Sequence, residues 1–356
     1  MRRFFGRLLL VLGLLLVFPG GVVVLNCHID TFNVFHWRDV RFTSAEPNKN
    51  FIKTRHVLEN PGKFNAFVFG SSRAGMLPPA FLPKTLGGDE LRWYNMSYSE
   101  GVPAENLETL EVLVAHNVDV KMVLVSFDCM MMYLDDGAHR RQLMRMSYRQ
   151  YERSKAAFLK SYLLGMPDLE IVSQVLRYRP EEHEESRRIF YEHGVNSVDM
   201  GLSAEFDEEK YAPFIFEHVM TDAWKSLVAL RDFCAERNIR AVFFTSPIYE
   251  SNYRYAVAHG YLEMLREIGG RCGFFNFSGL NRITTDPKYY FEGIHYRPAA
   301  GLLVEKVLFS TDEGERERIR AEAALCDADR ELFGMEVDSS NVDEVVGRLR
   351  EQLRDG

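Results

Sequence analysis

Phe64-Asn65-Ala66-Phe67-Val68-Phe69-Gly70-Ser71-Ser72 is the stretch on which the fold turns. Its first six residues form a short apolar run of strand length, and Gly70-Ser71-Ser72 is turn chemistry. A strand that stops at such a turn and gives way to a helix leaves a serine hydroxyl free at the edge of a sheet.

The same rhythm recurs on the C-terminal side. Leu91 to Met96 reads as a second short strand, closing on Asn95-Met96-Ser97. Val120 to Phe127 is the clearest buried strand and ends at Asp128. Between them, Pro103 to His116 places Leu107, Leu110, Val112, Leu113 and Val114 at helical spacing. The pattern resumes with a helix from Thr221 to Arg237, a strand from Ile239 to Thr245 and a helix from Tyr255 to Ile268. A strand from Gly273 to Phe277 and a helix from Pro298 to Leu308 complete it. Short apolar strands alternating with helices predict a mostly parallel sheet covered on both faces, a three-layer α/β/α domain over residues 31–310. Ligands of such sheets bind at the carboxyl ends of the strands, where Ser72, Ser97, Asp128 and Ser246 fall.

Residues 130–220 interrupt this rhythm. They are rich in Met, Tyr, Arg and Glu, with helical stretches near 150–164 and 168–178. Entering directly after Asp128, the insertion is expected to border the site and shape acceptor choice; a helical embellishment without a direct role is the alternative. Residues 31–63 read as a polar, aromatic-bearing connection, and residues 311–356 as a charged helical tail that is loosely attached.

The second decisive motif is Glu292-Gly293-Ile294-His295. A carboxylate three residues before a histidine can orient the imidazole, which can then take a serine's proton. Ser72 and His295 lie 223 positions apart, so only the fold can join them. Each motif alone is common, in turns or as a solvated pair. Together, in order and at strand ends, they predict nucleophilic acyl chemistry. Arg73, beside the serine, has two readings: it binds an anionic substrate or pairs with a surface carboxylate. No cofactor is called for, and the five cysteines show no metal-ligand spacing.

At the N-terminus, Arg2, Arg3 and Arg7 precede an apolar run from Leu8 to Leu25, interrupted by Gly13 and Pro19-Gly20-Gly21. At about 18 residues it is near the lower limit of a membrane span. The basic residues predict a retained anchor over residues 1–30, with the N-terminus in the cytoplasm and the domain periplasmic; a cleaved leader is the alternative. A net charge of -8 without a basic stripe excludes nucleic acid as the expected partner. With 46% hydrophobic residues, the chain can build a substantial core.

The ordered blocks Phe69-Gly70-Ser71-Ser72, Tyr94-Asn95-Met96-Ser97, Ser126-Phe127-Asp128 and Phe291-Glu292-Gly293-Ile294-His295-Tyr296 resemble the SGNH (GDSL-type) hydrolase superfamily over roughly 64–128 and 221–308. The resemblance implies a flavodoxin-like fold with Ser72 as nucleophile, His295 as base and Glu292 in the place usually held by aspartate. It puts the Ser97 backbone N–H in the oxyanion hole. At the third block it puts Asp128 where the family has an asparagine donor; on that reading Asp128→Asn would restore a donor and raise activity. The outline is similar to that of anchored proteins of teichoic-acid D-alanylation and alginate O-acetylation. That similarity implies an esterase or O-acyltransferase acting on a cell-envelope polysaccharide or acyl ester, with a multi-span membrane acyltransferase as partner. A non-catalytic scaffold of the same fold is the other class.

Overall fold

Along each central strand, apolar side chains alternate between two faces, and each face carries its own core. In the computed structural model, Phe67, Phe69, Val123, Val125 and Phe243 belong to one buried cluster, whereas Val68, Leu124 and Phe244 belong to another. The period of two in a strand makes this division, and it requires helices on both sides. The structure describes residues 20–134, 139–165, 168–196, 200–203, 207, 209–215 and 222–354.

The sheet has six strands: β1 (Ala66–Phe69), β2 (Trp93–Asn95), β3 (Met122–Phe127), β4 (Arg240–Thr245), β5 (Phe274–Asn276) and β6 (Met335–Val337). Their order is β2-β1-β3-β4-β5-β6, and all pairs are parallel except β5 with β6. Because β2 and β3 lie on opposite sides of β1, the chain reverses direction across the sheet at β1, and the β1 and β3 ends are where a sheet of this topology takes its ligands. The turns after those two strands are Gly70-Ser71-Ser72 and Asp128-Cys129.

Helices α3 (Pro103–Ala115), α8 (Ala223–Glu236) and α10 (Tyr261–Gly269) send Leu110, Leu113, Leu227, Leu230, Leu262 and Leu265 into the first core. Helices α11 (Pro298–Phe309) and α12 (Glu313–Ala323) send Ala300, Val304, Val307 and Ile319 into the second. The result is an α/β domain with a mostly parallel sheet in a three-layer arrangement.

The chain divides into two compact units, residues up to 56 with 137–188, and residues 57–136 with 189–356. The sheet belongs entirely to the second. The first gathers α1 (helical residues 20–29), α2 (Lys49–Glu59) as far as His56, α4 (Tyr148–Arg153), α5 (Lys155–Leu163) and α6 (Leu169–Arg177). Phe51 anchors it: its ring lies 4.9 Å from Phe158, 5.3 Å from Tyr151 and 5.8 Å from Tyr148, centroid to centroid. The segment before β1 is therefore not merely a connection, and the middle of the 130–220 insertion is not a unit by itself. Each supplies half of an aromatic core that neither fills alone. The last part of the insertion passes into the second unit at Ile189, within α7 (Glu184–His193).

Two further expectations are corrected. The helix read over Tyr255–Ile268 is two, α9 (Glu250–Ala258) and α10, because Gly260 adopts φ 101° and ends the first. The charged C-terminus is helical in part but is not a loose tail. Its strand β6 completes the sheet, pairing Val337 with Phe274 and Met335 with Asn276. Helix α13 (Val342–Glu351) buries Val342, Val345, Val346 and Leu349 in the first core, a stripe at helical spacing hidden among charges. Among the described residues no helix is long and apolar enough to cross a membrane. Arg2, Arg3, Arg7 and the run from Leu8 to Pro19 lie outside the described residues.

Candidate active site

The turn after β1 owes its shape to Gly70. Its φ of 147° suits glycine, and a Cβ there would lie 2.8 Å from the Ser126 carbonyl oxygen and 2.9 Å from Ala74 Cβ. The chain therefore turns tightly against the end of β3. A 3₁₀ turn from Ser72 to Met76 follows, and the Ser72 side chain emerges half-buried while its neighbours Ser71 and Arg73 are buried.

Ser72 Oγ lies 2.7 Å from His295 Nε2. On the other side of the ring, His295 Nδ1 meets Glu292 Oε1. A carboxylate only accepts, so Nδ1 carries the proton and Nε2 is left to accept from the Ser72 hydroxyl. Glu292 also accepts the Ile294 N–H at 2.5 Å and the His295 N–H at 3.1 Å, which fixes the carboxylate relative to the ring it orients. Burial acts to raise the Glu292 carboxyl. Its bonds from His295 and these two N–H groups outweigh burial and hold it below the ordinary value of 4.5. The side chains of His295 and Glu292 are 31% and 29% exposed, so the pair is reachable from outside.

The loop that carries this pair is braced from behind. Asn252 Nδ2 donates to the Gly293 carbonyl at 2.7 Å, and the Gly293 N–H donates to the Lys210 carbonyl at 3.0 Å. A Cβ at residue 293 would lie 2.9 Å from Asn252 Nδ2, so glycine permits this approach. Tyr211 Oη donates to the Pro287 and Tyr290 carbonyls. The far end of the insertion, residues 209–215, thus supports the base loop. Sequence reasoning missed Asn252 and Tyr211, because nothing in the local pattern distinguishes them from ordinary helix and loop residues.

Arg73 and Asp128 face each other in the interior rather than solvent. Arg73 is 1% exposed and Asp128 3%, and Nη1 meets Oδ1 at 2.8 Å. Asp128 also accepts from Met130 N–H at 2.8 Å and from Ser71 Oγ at 2.9 Å. Arg73 Nε donates to the Ile294 carbonyl at 2.8 Å, one residue before His295. The guanidinium thus ties the serine turn, the β3 end and the histidine loop together. Burial opposes its charge, but the Asp128 carboxylate more than restores it and raises the guanidinium above its ordinary value. Of the two readings of Arg73, pairing with a carboxylate is the one realised, with a buried rather than a surface partner.

The Ser97 backbone N–H, expected to serve as an oxyanion donor, is already bonded to Asn95 Oδ1 at 2.9 Å. Asn95 in turn donates to the Ala74 carbonyl at 2.8 Å. By contrast, no acceptor for the Ser72 backbone N–H is present among the described residues. Ser246, another strand-end residue, is buried and shares a 2.6 Å hydrogen bond with Ser126. Cys129, next to Asp128, is no rival nucleophile: burial pushes its thiol up to about 12. The arrangement brings Ser72, His295 and Glu292 into one relay, and puts Arg73, Asp128 and Ser97 into the supporting structure. Comparison with known proteins finds no matching family model and no matching curated protein.

Proposed function

We propose that this chain is a serine esterase or O-acyltransferase of the SGNH type, with a flavodoxin-like fold, held at the cytoplasmic membrane by its N-terminal run and facing the periplasm. The observation that carries this reading is the relay from Ser72 Oγ through His295 to Glu292, at the turn after β1. His295 Nε2 takes the Ser72 proton as Oγ attacks the acyl carbonyl, and Glu292 stabilises the imidazolium that forms. The Ser72 N–H, which has no acceptor among the described residues, is the donor assigned to the oxyanion. The imidazolium then protonates the departing alkoxide, leaving an acyl-serine. Water or a polysaccharide hydroxyl, deprotonated by the same imidazole, releases the acyl group as an acid or a new ester. The acyl donor fits a multi-span membrane acyltransferase as partner, and the acceptor a cell-envelope polysaccharide.

A non-catalytic scaffold is the second reading. It is favoured by the Asp128 carboxylate standing where the family has a donor, and by the Ser97 N–H being occupied. A fluorophosphonate probe separates the two. Labelling of the wild-type chain at Ser72, lost in Ser72→Ala and in His295→Ala, supports the enzyme. A folded wild-type chain that is not labelled, and whose cellular role survives Ser72→Ala, supports the scaffold.

A further inference from the structure

The first unit exposes large aliphatic side chains around one place. Helical residues 20–29 present Val24, 70% exposed, and Leu25. Asn26, one residue on, donates from Nδ2 to the Leu163 carbonyl at 2.8 Å and to the Gly165 carbonyl at 2.6 Å. This seats exposed Leu164 against the same helix. Asn26, Gly165, Asp168 and Ile171 line one cavity of about 450 Å³, which places the start of α6 beside them. From there Leu169, 82% exposed, and Leu176 continue along α6 with Val172 between them, at i, i+3 and i+7 on one helix face. The opposite face buries Ile171. Lys160, one turn before Leu164 on α5, is also exposed.

We propose that this rim, formed by Val24, Leu25, Leu164, Leu169 and Leu176, sits in the headgroup and upper acyl region of a phospholipid bilayer. Two observations select that occupant. First, helical residues 20–29 continue the apolar sequence that starts at Leu8. That run, Leu8 to Leu25, is about 18 residues, near the number that crosses a hydrocarbon core, and Val24 and Leu25 are its last residues. Leu164, held against that helix through Asn26, is then at the same depth. Second, Lys160 flanks the apolar rim, where an ammonium meets lipid phosphate while its stem covers apolar surface. The inference rests on the membrane part of the proposed function and not on its chemistry. Seated this way, the first unit is a collar on the membrane rather than a free tether.

The test uses the full chain in nanodiscs of phosphatidylcholine and phosphatidylglycerol. Carbonate extraction reports the anchor separately. In Leu169→Trp, brominated acyl chains should quench the added fluorescence by roughly half relative to ordinary lipid, and an aqueous quencher should reach it poorly. An anchored chain whose added tryptophan is open to the aqueous quencher and untouched by bromine overturns the proposal. So does protection without bromine quenching, whether a second copy or residues 1–19 cover the face. If carbonate extracts the wild-type chain, the anchor reading fails and the rim is tested by flotation with the same vesicles. Flotation lost in Leu164→Glu/Leu169→Glu supports the rim, and its absence in wild type overturns it.

Discussion

Ser71 and Ser72 are neighbours in one turn, yet they belong to different kinds of site. Ser72 Oγ meets an imidazole that can take a proton and is half-open to solvent. Ser71 Oγ meets the carboxylate of Asp128, which is buried and already holds Arg73. The second carboxylate of the pair of constellations, Glu292, orients a base; Asp128 neutralises a cation. Residue type therefore does not separate chemistry from support here. What separates them is whether a titratable base lies next to the hydroxyl and whether solvent and substrate can reach it.

The largest expected effect is on the open side of that comparison. On the proposed chemistry, Ser72→Ala and His295→Ala each lower kcat/KM for an activated ester by about 10⁴-fold or more, and the double variant loses little beyond either single one. Unfolding curves should stay close to wild type, because one partly exposed hydroxyl contributes little to stability. Additive losses would break the relay into two independent residues.

On the buried side the effect is structural. Asp128→Asn leaves the Arg73 guanidinium buried without its carboxylate and should cost about 3–5 kcal/mol in urea unfolding. This reverses the expectation drawn from the family resemblance, that the substitution supplies a missing oxyanion donor. A variant as stable as wild type and more active would show that the side chain can turn from Arg73 towards the substrate, and would erase the distinction between the two carboxylates.

Glu292 sharpens the comparison through pH. On the proposed chemistry, Glu292→Gln should lower kcat by about 10²-fold, because the imidazolium loses its counter-charge. Its stability signature has a definite sign. The folded pKa lies below the ordinary value of 4.5, so the carboxylate's contribution is present above that value and disappears as pH falls through the folded pKa. The gap between wild type and Glu292→Gln should therefore be widest above about pH 5 and close on acidification. Partial exposure screens it to below about 1 kcal/mol. A gap that widens in acid would mean that the carboxyl is stabilised in its protonated form.

Much of this was legible because strand periodicity and turn chemistry are local. The strands at 66–69, 122–127 and 240–245 follow from apolar runs closed by Gly, Asp or Ser-Pro, and their ends carry the serine and Asp128. That the sheet is mostly parallel follows from the alternation of strand and helix, whereas its strand order does not. The roles of Arg73, Asp128 and Ser97 were not legible, because they depend on which backbone groups the fold has already satisfied. Ser97 looks free in sequence, but Asn95 turns back to take its N–H. The first unit was hidden for a related reason: Phe51 and Phe158 lie more than a hundred positions apart, and neither segment has enough apolar residues to announce a core. The stripe of α13 was masked by the charges between its valines.

Ser71→Ala is the smallest change and the cleanest control. It removes a hydrogen bond to a buried carboxylate and should cost about 1–2 kcal/mol of stability, since Arg73 and the Met130 N–H still hold Asp128. It touches neither Ser72 Oγ nor the histidine, so kcat/KM should stay within about an order of magnitude of wild type. Fluorophosphonate labelling should persist at Ser72. Loss of labelling in a folded Ser71→Ala chain would mean that the turn geometry, and not the hydroxyl at Ser72 alone, carries the reactivity. The two serines would then have to be treated as one site rather than as a reactive residue and its support.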